Sequence, residues 1–151
     1  MKPSMNPEKN LKVVLDANIF VSAFIKPSGP PGQILKKFLK HQAFELIISK
    51  PIMEEIKDTM TYPRIQKYLK WSSQEIDLTL IAIELLSTFV EGTADINIFI
   101  SDPDDKKYLV AAQEGKANYI VTGDKHLLDL VAYDEEDIKI ILPKTFLELL
   151  S

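Results

Sequence analysis

Short apolar runs that alternate with helical segments are the feature that most constrains the fold of this chain. Val13-Val14-Leu15 forms one such run, and "FELIIS", "NYIVT" and "IKIILP" contain others. None of these runs alternates polar with apolar residues, as a strand with one solvated face would. The segments between them carry apolar residues at helical spacing, as in "QILKKFLKHQ". Buried strands joined by helices predict an α/β fold with a mostly parallel sheet of four to five strands.

Proline, glycine and serine residues mark where further elements begin and end. The stretch "KPSGPPG" is predicted to be a loop because of its proline and glycine content. Pro51 suits the first turn of the helix "IMEEIKDTM", and Ser72 or Ser73 suits the N-cap of the helix that follows. The segment "RIQKYLKW" is predicted to be helical, and "STFVE" to contain a short strand.

The length and composition of the chain exclude several classes of protein. A chain of 151 residues, 46% of them hydrophobic, is long enough for one domain with a buried core. The absence of cysteine excludes a disulfide framework and a thiolate metal site, and two histidines are too few for a histidine-rich zinc site. No apolar run approaches the ~20 residues of a membrane span, and the start of the chain is polar. We therefore expect a cytoplasmic protein.

The formal net charge of −4 comes from 22 acidic and 18 basic residues. A simple nucleic-acid-binding module usually carries a basic surplus, so this balance argues against that class. It is compatible with an enzyme that meets phosphates through a bound metal ion.

Acidic residues follow several of the predicted strands. Asp16 comes directly after the first apolar run, and Asp124 lies just past "YIVT". The stretch "SDPDDKKYLVAA" opens a helix with three aspartates, and "PIMEEI" places two glutamates early in the helix after "FELIIS". Ligands of parallel sheets gather outside the carboxyl ends of the strands. We therefore expect these four segments to meet at one edge of the sheet.

Several carboxylates at one edge repel each other unless a cation neutralises them. Two carboxylates about 4 Å apart cost ~1 kcal/mol in water and ~4 kcal/mol at an effective dielectric of 20. Hard cations such as Mg²⁺ are bound by such oxygen ligands. Ordinary helix capping is the alternative role for the acids at helix starts, namely Asp102, Asp104, Asp105 and Asp124. Asp16 fits that alternative less well, because an unpartnered acid directly after an apolar run is costly.

Four motifs in order make the chain resemble the PIN-domain ribonucleases. These motifs are "VVLDAN", "SKPIMEEI", "DPDDKKYLVAA" and "VTGDKHLL". The resemblance covers nearly the whole chain, from "VVLDANIFVSA" to "KTFLEL". It implies a three-layer α/β/α fold in which residues 11–151 form a single nuclease domain after a flexible segment, residues 1–10.

The resemblance also implies which side chains form the site. It assigns catalysis and metal binding to four acids, Asp16, Glu55, Asp105 and Asp124. Their neighbours Glu54 and Asp104 are the alternatives, because successive helical residues point in different directions and only one of each pair is expected to face the cleft. Asn18 and Thr122 are expected to orient a ligand carboxylate or a water molecule.

The activity implied by the resemblance is that of a Mg²⁺- or Mn²⁺-dependent endoribonuclease. The metal would activate water and neutralise the scissile phosphate. The "DPDD" and "VTGDKHLL" motifs most resemble the subgroup of toxin components of toxin–antitoxin pairs. An RNA substrate, an antitoxin partner and a homodimer are expected on the same grounds.

The segment "RIQKYLKW" is a candidate RNA contact outside the cleft. Arg64, Lys67 and Lys70 could contact phosphates, while the interleaved Tyr68 and Trp71 could stack on bases. The alternative is a solvated helix face whose aromatic residues complete the core.

Two other classes of function fit parts of the sequence. A PIN-like protein without catalysis would act as a binding or regulatory module, but it would not need all four acids. A receiver-type signalling domain also clusters acids around Mg²⁺, but it needs an acidic pair after its first strand, where this chain has Asp16 alone.

Overall fold

The fold is described from a computed structural model of residues 11–96, 102–129 and 137–151. These ranges contain five strands, β1 (Lys12–Leu15), β2 (Glu45–Ser49), β3 (Thr88–Val90), β4 (Tyr119–Val121) and β5 (Lys139–Ile141). They also contain eight α-helices, α1 (Ala17–Ile25), α2 (Pro30–His41), α3 (Lys50–Met60), α4 (Pro63–Gln66), α5 (Ser73–Leu86), α6 (Lys106–Gly115), α7 (Lys125–Leu128) and α8 (Pro143–Leu149). A 3₁₀ turn, Pro103–Asp105, precedes α6. The segment expected to be flexible, residues 1–10, lies outside the described residues.

The five strands form one parallel sheet in the order β3-β2-β1-β4-β5. Val14 at its centre pairs with Ile47 on one side and with Ile120 on the other. The α/β fold with a mostly parallel sheet is therefore confirmed. The order differs from the 2-1-3-4-5 order of receiver domains, so the receiver alternative is wrong. Because all strands run the same way, the carboxyl ends of β1, β2 and β4 lie side by side.

Both faces of the central sheet are covered. Val13, Val14 and Leu15 are all buried, although successive side chains of a strand point to opposite faces. The helix α6 lies across β1, β2, β3 and β4. It approaches closely, because a Cβ atom on Gly115 would lie 2.6 Å from Ile47 Cγ2. The side chain of Glu114 beside it accepts hydrogen bonds from the backbone N–H groups that follow β3, at residues 92, 93 and 94.

The predicted loop "KPSGPPG" is partly wrong, because α2 already begins at Pro30. Proline lacks an N–H group, but the first turn of a helix has no partner for that group in any case. Gly32 makes this early start possible. A Cβ atom at Gly32 would lie 2.0 Å from the carbonyl oxygen of Pro27, so the chain can turn into the helix this tightly only without a side chain.

The predicted helix "RIQKYLKW" is also wrong in extent. Only Pro63–Gln66 is α-helical, and the chain then turns towards α5. Trp71 packs edge-on against Phe24 with ring centroids 5.3 Å apart, so it completes the core. The segment is rich in helix-forming residues, so its early end reflects tertiary context, which overrides local propensity.

The remaining boundaries follow the expected signals. Ser72 caps α5, and its hydroxyl and the Glu75 carboxylate each accept a hydrogen bond from the other residue's backbone N–H. The predicted strand in "STFVE" is present as β3 at the edge of the sheet. Within the described ranges, no helix combines the length and the apolar character needed to cross a membrane.

Candidate active site

Asp16 lies at the carboxyl end of β1, in the centre of the sheet, and is 2% exposed. It is the N-cap of α1, and its Oδ1 accepts a hydrogen bond of 3.0 Å from the backbone N–H of Asn18. Its Oδ2 accepts one of 2.7 Å from the hydroxyl of Thr122. Burial raises the pKa of Asp16, and these two hydrogen bonds oppose that rise. The charge of Glu55 adds to the rise in pKa, which shows that the two carboxylates are near each other.

Thr122 connects the ends of two neighbouring strands. It directly follows β4 and is fully buried. Its hydroxyl donates to Asp16 and accepts a hydrogen bond of 2.9 Å from the backbone N–H of Asp124. The one hydroxyl therefore fixes Asp16 and Asp124 relative to each other across the strand ends.

The three acids of "SDPDD" have different surroundings. Asp102 caps the 3₁₀ turn, since its Oδ1 accepts a 3.0 Å hydrogen bond from the N–H of Asp104. Asp104 is exposed. Asp105 is 6% exposed and lies against the other acids. Capping thus accounts for Asp102, but it does not account for the burial of Asp105.

Asp105 is the most perturbed acid of this group. Burial, a hydrogen bond with the carboxyl group of Asp124, and the charges of Asp124, Asp102 and Asp16 together raise the pKa of Asp105 to about 7. Its Oδ2 is buried and has no hydrogen-bond partner among the described residues. A buried carboxyl oxygen without a donor is costly, so this atom needs a partner that the described residues do not supply.

Glu55 is held by two adjacent residues of α6. Its Oε1 accepts hydrogen bonds of 2.7 Å from Lys107 Nζ and 2.6 Å from the hydroxyl of Tyr108. The same hydroxyl accepts a 3.2 Å hydrogen bond from the backbone N–H of Ala17, next to Asp16. Burial and the neighbouring carboxylates raise the pKa of Tyr108, so its hydroxyl keeps the proton that it donates to Glu55.

A polar groove of about 520 Å³ opens beside these acids. Its walls come from α3, α4 and the segments around α1 and α6, and include Asn18, Glu54, Glu55, Asp58, Tyr62, Arg64, Asp104 and Lys107. Glu54 and Asp104, the alternatives to Glu55 and Asp105, therefore reach the groove, but from its exposed outer part. Glu55 is less exposed than Glu54, and Asp105 is less exposed than Asp104.

The three basic residues proposed for RNA contact are separated by the structure. Arg64 lies in the wall of the groove, with its guanidinium carbon 5.3 Å from the centre of the Tyr62 ring. Lys67 and Lys70 are exposed and are not among the residues of that wall. Lys67 lies over the ring of Tyr68 instead.

The structure brings Asp16, Glu55, Asp105 and Asp124 together at one edge of the sheet. All four donors are carboxylate oxygens, which suit Mg²⁺ or Mn²⁺, and the unpartnered Asp105 Oδ2 is a candidate ligand atom. As they stand, no three acidic or histidine side chains of the described residues are close enough to hold an ion. Glu55 is paired with Lys107, and Asp105 with Asp124, so a shared cation would replace these contacts.

Sequence reasoning missed Lys107, Tyr108 and Tyr62. Lys107 and Tyr108 were predicted only to be part of an apolar helix, although they lie two and three residues after Asp105. Their position in the first turn of the helix that follows Asp105 could have indicated that they lie near the site. The contact with Glu55 joins two helices far apart in the sequence, so no local pattern could have revealed it.

Comparisons with known proteins agree with this fold. Residues 12–126 match a family model described as "PIN domain". The chain is also 33% identical, over 144 residues, to the uncharacterized protein MJ1680 of Methanocaldococcus jannaschii, with 91% of this chain and 90% of that protein covered. PIN domains are in general nucleases that use divalent metal ions and act on nucleic acid. With a match over most of its length, this chain belongs to the PIN-domain family.

Proposed function

We propose that the protein is a metal-dependent endoribonuclease that hydrolyses RNA phosphodiester bonds. The observation that supports this most is the Oδ2 of Asp105, which lies buried near three further carboxyl groups and has no hydrogen-bond partner in the described part of the chain. Four acids from four separate segments are costly to bring together unless a cation compensates their charge. The family membership points to the same class of chemistry.

Each residue of the site has a role in this proposal. Asp16, Asp105, Asp124 and Glu55 would hold Mg²⁺ or Mn²⁺. The bound ion would activate a water molecule and compensate the charge of the scissile phosphate. Thr122 and the backbone of Asn18 hold Asp16 in place, and the hydroxyl of Tyr108 orients Glu55 when the ion replaces the contact with Lys107.

Replacing Asp16 by asparagine tests the proposal. The amide retains the size of the side chain, but the negative charge is lost and only one of its two polar atoms can still accept a hydrogen bond. We expect cleavage of a mixed RNA pool in Mg²⁺ or Mn²⁺ to fall at least ~100-fold, while the variant remains folded with a melting temperature lowered by the loss of one hydrogen bond. Asp77→Asn, at an exposed position of α5, is the matched control and should cleave like the wild type. Undiminished cleavage by Asp16→Asn would reject the assignment.

A PIN-like binding protein without catalysis is the alternative. The ion pair between Glu55 and Lys107 favours it, since it occupies one of the four acids with a basic partner. Titration with Mn²⁺ separates the two functions. If the protein is an enzyme, the wild type should bind Mn²⁺ and Asp16→Asn should not. If it is an inactive binding protein, the wild type and Asp16→Asn should not differ in Mn²⁺ binding.

We further propose that the protein is the toxin of a toxin–antitoxin pair and acts in the cytoplasm. The motifs "DPDDKKYLVAA" and "VTGDKHLL" support the toxin role by their resemblance to that subgroup, and the absence of cysteine suits a reducing compartment. Induced expression of the wild type in a bacterial host should arrest growth, and expression of Asp16→Asn should not. Equal growth with both would argue against a toxin.

A homodimer is proposed through one apolar surface, the α5–β3 face, defined as Leu78, Ile81, Leu85 and Phe89. The first three residues lie on one side of α5, and Leu85 is 80% exposed. Phe89 lies on the edge strand β3, which follows α5, and is also exposed. Exposed apolar side chains on a helix and on the edge strand of the described sheet are typical of a surface that another chain covers.

A further inference from the structure

The polar groove beside the acids contains one exposed aromatic ring. Tyr62 is 42% exposed and lies in the same wall as Arg64, which approaches its ring to 5.3 Å. Glu55 and Lys107, which belong to the candidate active site, lie in this groove as well. The aromatic ring and the guanidinium group are thus next to the place where cleavage is proposed.

A tyrosine ring and an arginine plane are the groups on which unpaired bases stack. Base–aromatic stacking contributes about 1–3 kcal/mol per base and needs a base that is not already stacked in a duplex. Tyr62 does not belong to the hydrophobic core formed by the described residues, and its neighbours in the groove are mostly polar. A polar groove with an accessible ring suits a ligand that has both a flat face and hydrogen-bonding edges.

We propose that Tyr62 and Arg64 form a subsite that stacks one unpaired base of a single-stranded RNA next to the bond to be cleaved. This inference rests on the proposed nuclease function and adds to it the part of the substrate that is recognised. The ring of Tyr62 provides the stacking face, and Arg64 provides a cation–π contact and a positive charge.

The charges of the groove indicate how the strand lies in it. Glu54 and Asp58, four residues apart on α3, place two negative charges on the outer wall. These charges disfavour a phosphate at that wall and favour the amino groups of a base. Lys107, which enters the groove from α6, provides a positive charge for the phosphate that follows. The base therefore faces α3 and α4, and the backbone faces α6.

The chain itself contains a matched control for this subsite. Tyr68 is 54% exposed, and Lys67 lies 5.1 Å from the centre of its ring. This pair has nearly the same chemistry as Tyr62 with Arg64 and comes from the same segment of sequence. It lies outside the groove wall, however, so its removal should not affect a strand bound in the groove.

Binding of a fluorescent single-stranded RNA, followed by anisotropy, tests the subsite, and the comparison between variants does not depend on a bound metal ion. All variants are made in the Asp16→Asn background so that the strand stays intact, which a gel verifies after each titration. We expect Tyr62→Ala to weaken binding about 5- to 100-fold, which corresponds to the loss of one stacked base. Tyr62→Trp should bind as tightly as its parent, and Tyr68→Ala should leave binding unchanged.

Further measurements prevent a folding defect from being mistaken for loss of the subsite. The melting temperature of each variant is compared with its parent, and Arg64→Met serves as a second variant that leaves Tyr62 in place. It should weaken binding at least about threefold. Equal effects of Tyr62→Ala and Tyr68→Ala, no effect of Tyr62→Ala, or no binding of the strand at all would each overturn the proposal.

The same set of variants separates this proposal from the proposed function. If the wild type fails to cleave RNA but the Tyr62 variants still lose binding selectively, the nuclease proposal fails and the subsite remains. If the wild type cleaves and binding does not depend on Tyr62, only the subsite fails. Duplex RNA serves as a competitor, and it should compete less than the single strand because its bases are already stacked.

Discussion

At the scale of single residues, Asp105 combines burial with an incomplete set of partners. Because the pKa of Asp105 is raised to about 7, this carboxyl group keeps its proton over much of the acidic range when no cation is bound. The proton is released when a cation takes its place, so metal binding and proton release are linked. The stability of the metal-free protein should therefore depend on pH in a way that identifies Asp105.

We expect the free energy of unfolding of the metal-free protein to fall as the pH rises from about 4 to about 8. The pKa of Asp105 is about 7 in the folded chain, compared with an ordinary value of 3.8. The folded state thus holds this proton more tightly, and the stabilisation is complete at low pH and is lost as the pH rises through the folded pKa. The raised pKa of Asp16 acts in the same direction. Urea unfolding in EDTA at several pH values measures the effect.

Asp105→Asn is the variant that assigns the effect to this residue. It removes the titrating group, so the decline in stability between about pH 4 and pH 8 should shrink by about 1–3 kcal/mol, a range that allows for solvent screening. The exposed Asp104→Asn is the control, and its stability profile should follow that of the wild type. A profile that is equally steep in Asp105→Asn would show that other groups cause the decline.

The hydroxyl of Tyr108 is the second residue-scale feature with a measurable consequence. Tyr108→Phe removes one oxygen atom that contacts Glu55 and the N–H of Ala17. We expect Mn²⁺ affinity to fall about 10- to 100-fold, because Glu55 is no longer oriented. The loss of stability should be only about 1 kcal/mol. Calorimetric titration and thermal melting measure the two quantities.

Tyr119→Phe is the control for that experiment. Tyr119 lies at the start of β4 with its ring near Phe146, and the same oxygen is removed there. The Mn²⁺ affinity of this control should equal that of the wild type. If Tyr108→Phe also binds Mn²⁺ like the wild type, then Tyr108 has only a packing role.

At the scale of secondary structure elements, the start of α2 depends on one missing side chain. In Gly32→Ala the new Cβ atom would meet the backbone of Pro27 at 2.0 Å, and backbone cannot move aside as a flexible side chain can. We expect a loss of about 2 kcal/mol or more, visible as a lower melting temperature. Gly123→Ala is the control, because a Cβ atom there meets nothing within 4 Å. Equal melting temperatures of the two variants would contradict this role of Gly32.

The same element shows what sequence reasoning could and could not predict. Strands such as β1 and β2 were predictable because a short run of β-branched and other apolar residues between turn signals is typical of a buried strand. The start of α2 was not predictable, because Pro30 and Pro31 are typical both of loops and of first helical turns. Only the contact with Pro27 decides between them.

The candidate site also contains some features that the sequence predicts and others that it does not. The convergence of Asp16 and Asp124 follows from a parallel sheet, in which the ends of neighbouring strands meet. The burial of Asp105 and the exposure of Asp104 depend on the geometry of one 3₁₀ turn, which no periodicity determines. The contacts of Glu55 with α6 depend on how two helices pack, which the sequence does not show locally.

At the scale of the whole molecule, the α5–β3 face predicts self-association. Leu85→Lys places a charge on that face, and its burial in a dimer would be unfavourable. We expect this variant to weaken dimerisation at least about tenfold in sedimentation velocity, while its melting temperature at low concentration is unchanged. Gln113→Lys adds the same charge at an exposed position of α6 and is the control. Dimers that persist in Leu85→Lys would place the interface elsewhere.

The contacts of the Thr122 hydroxyl determine the direction of its O–H bond. Its oxygen already receives a hydrogen from the backbone of Asp124, so its only proton points to Asp16. The other oxygen of Asp16 receives a hydrogen from Asn18, so both oxygens act as acceptors. The strand ends therefore favour the ionised form of Asp16 even though its burial favours the neutral one. Serine at position 122 would keep the hydroxyl and so would still favour the ionised form of Asp16. Valine has the shape of threonine but no hydroxyl, so it would not.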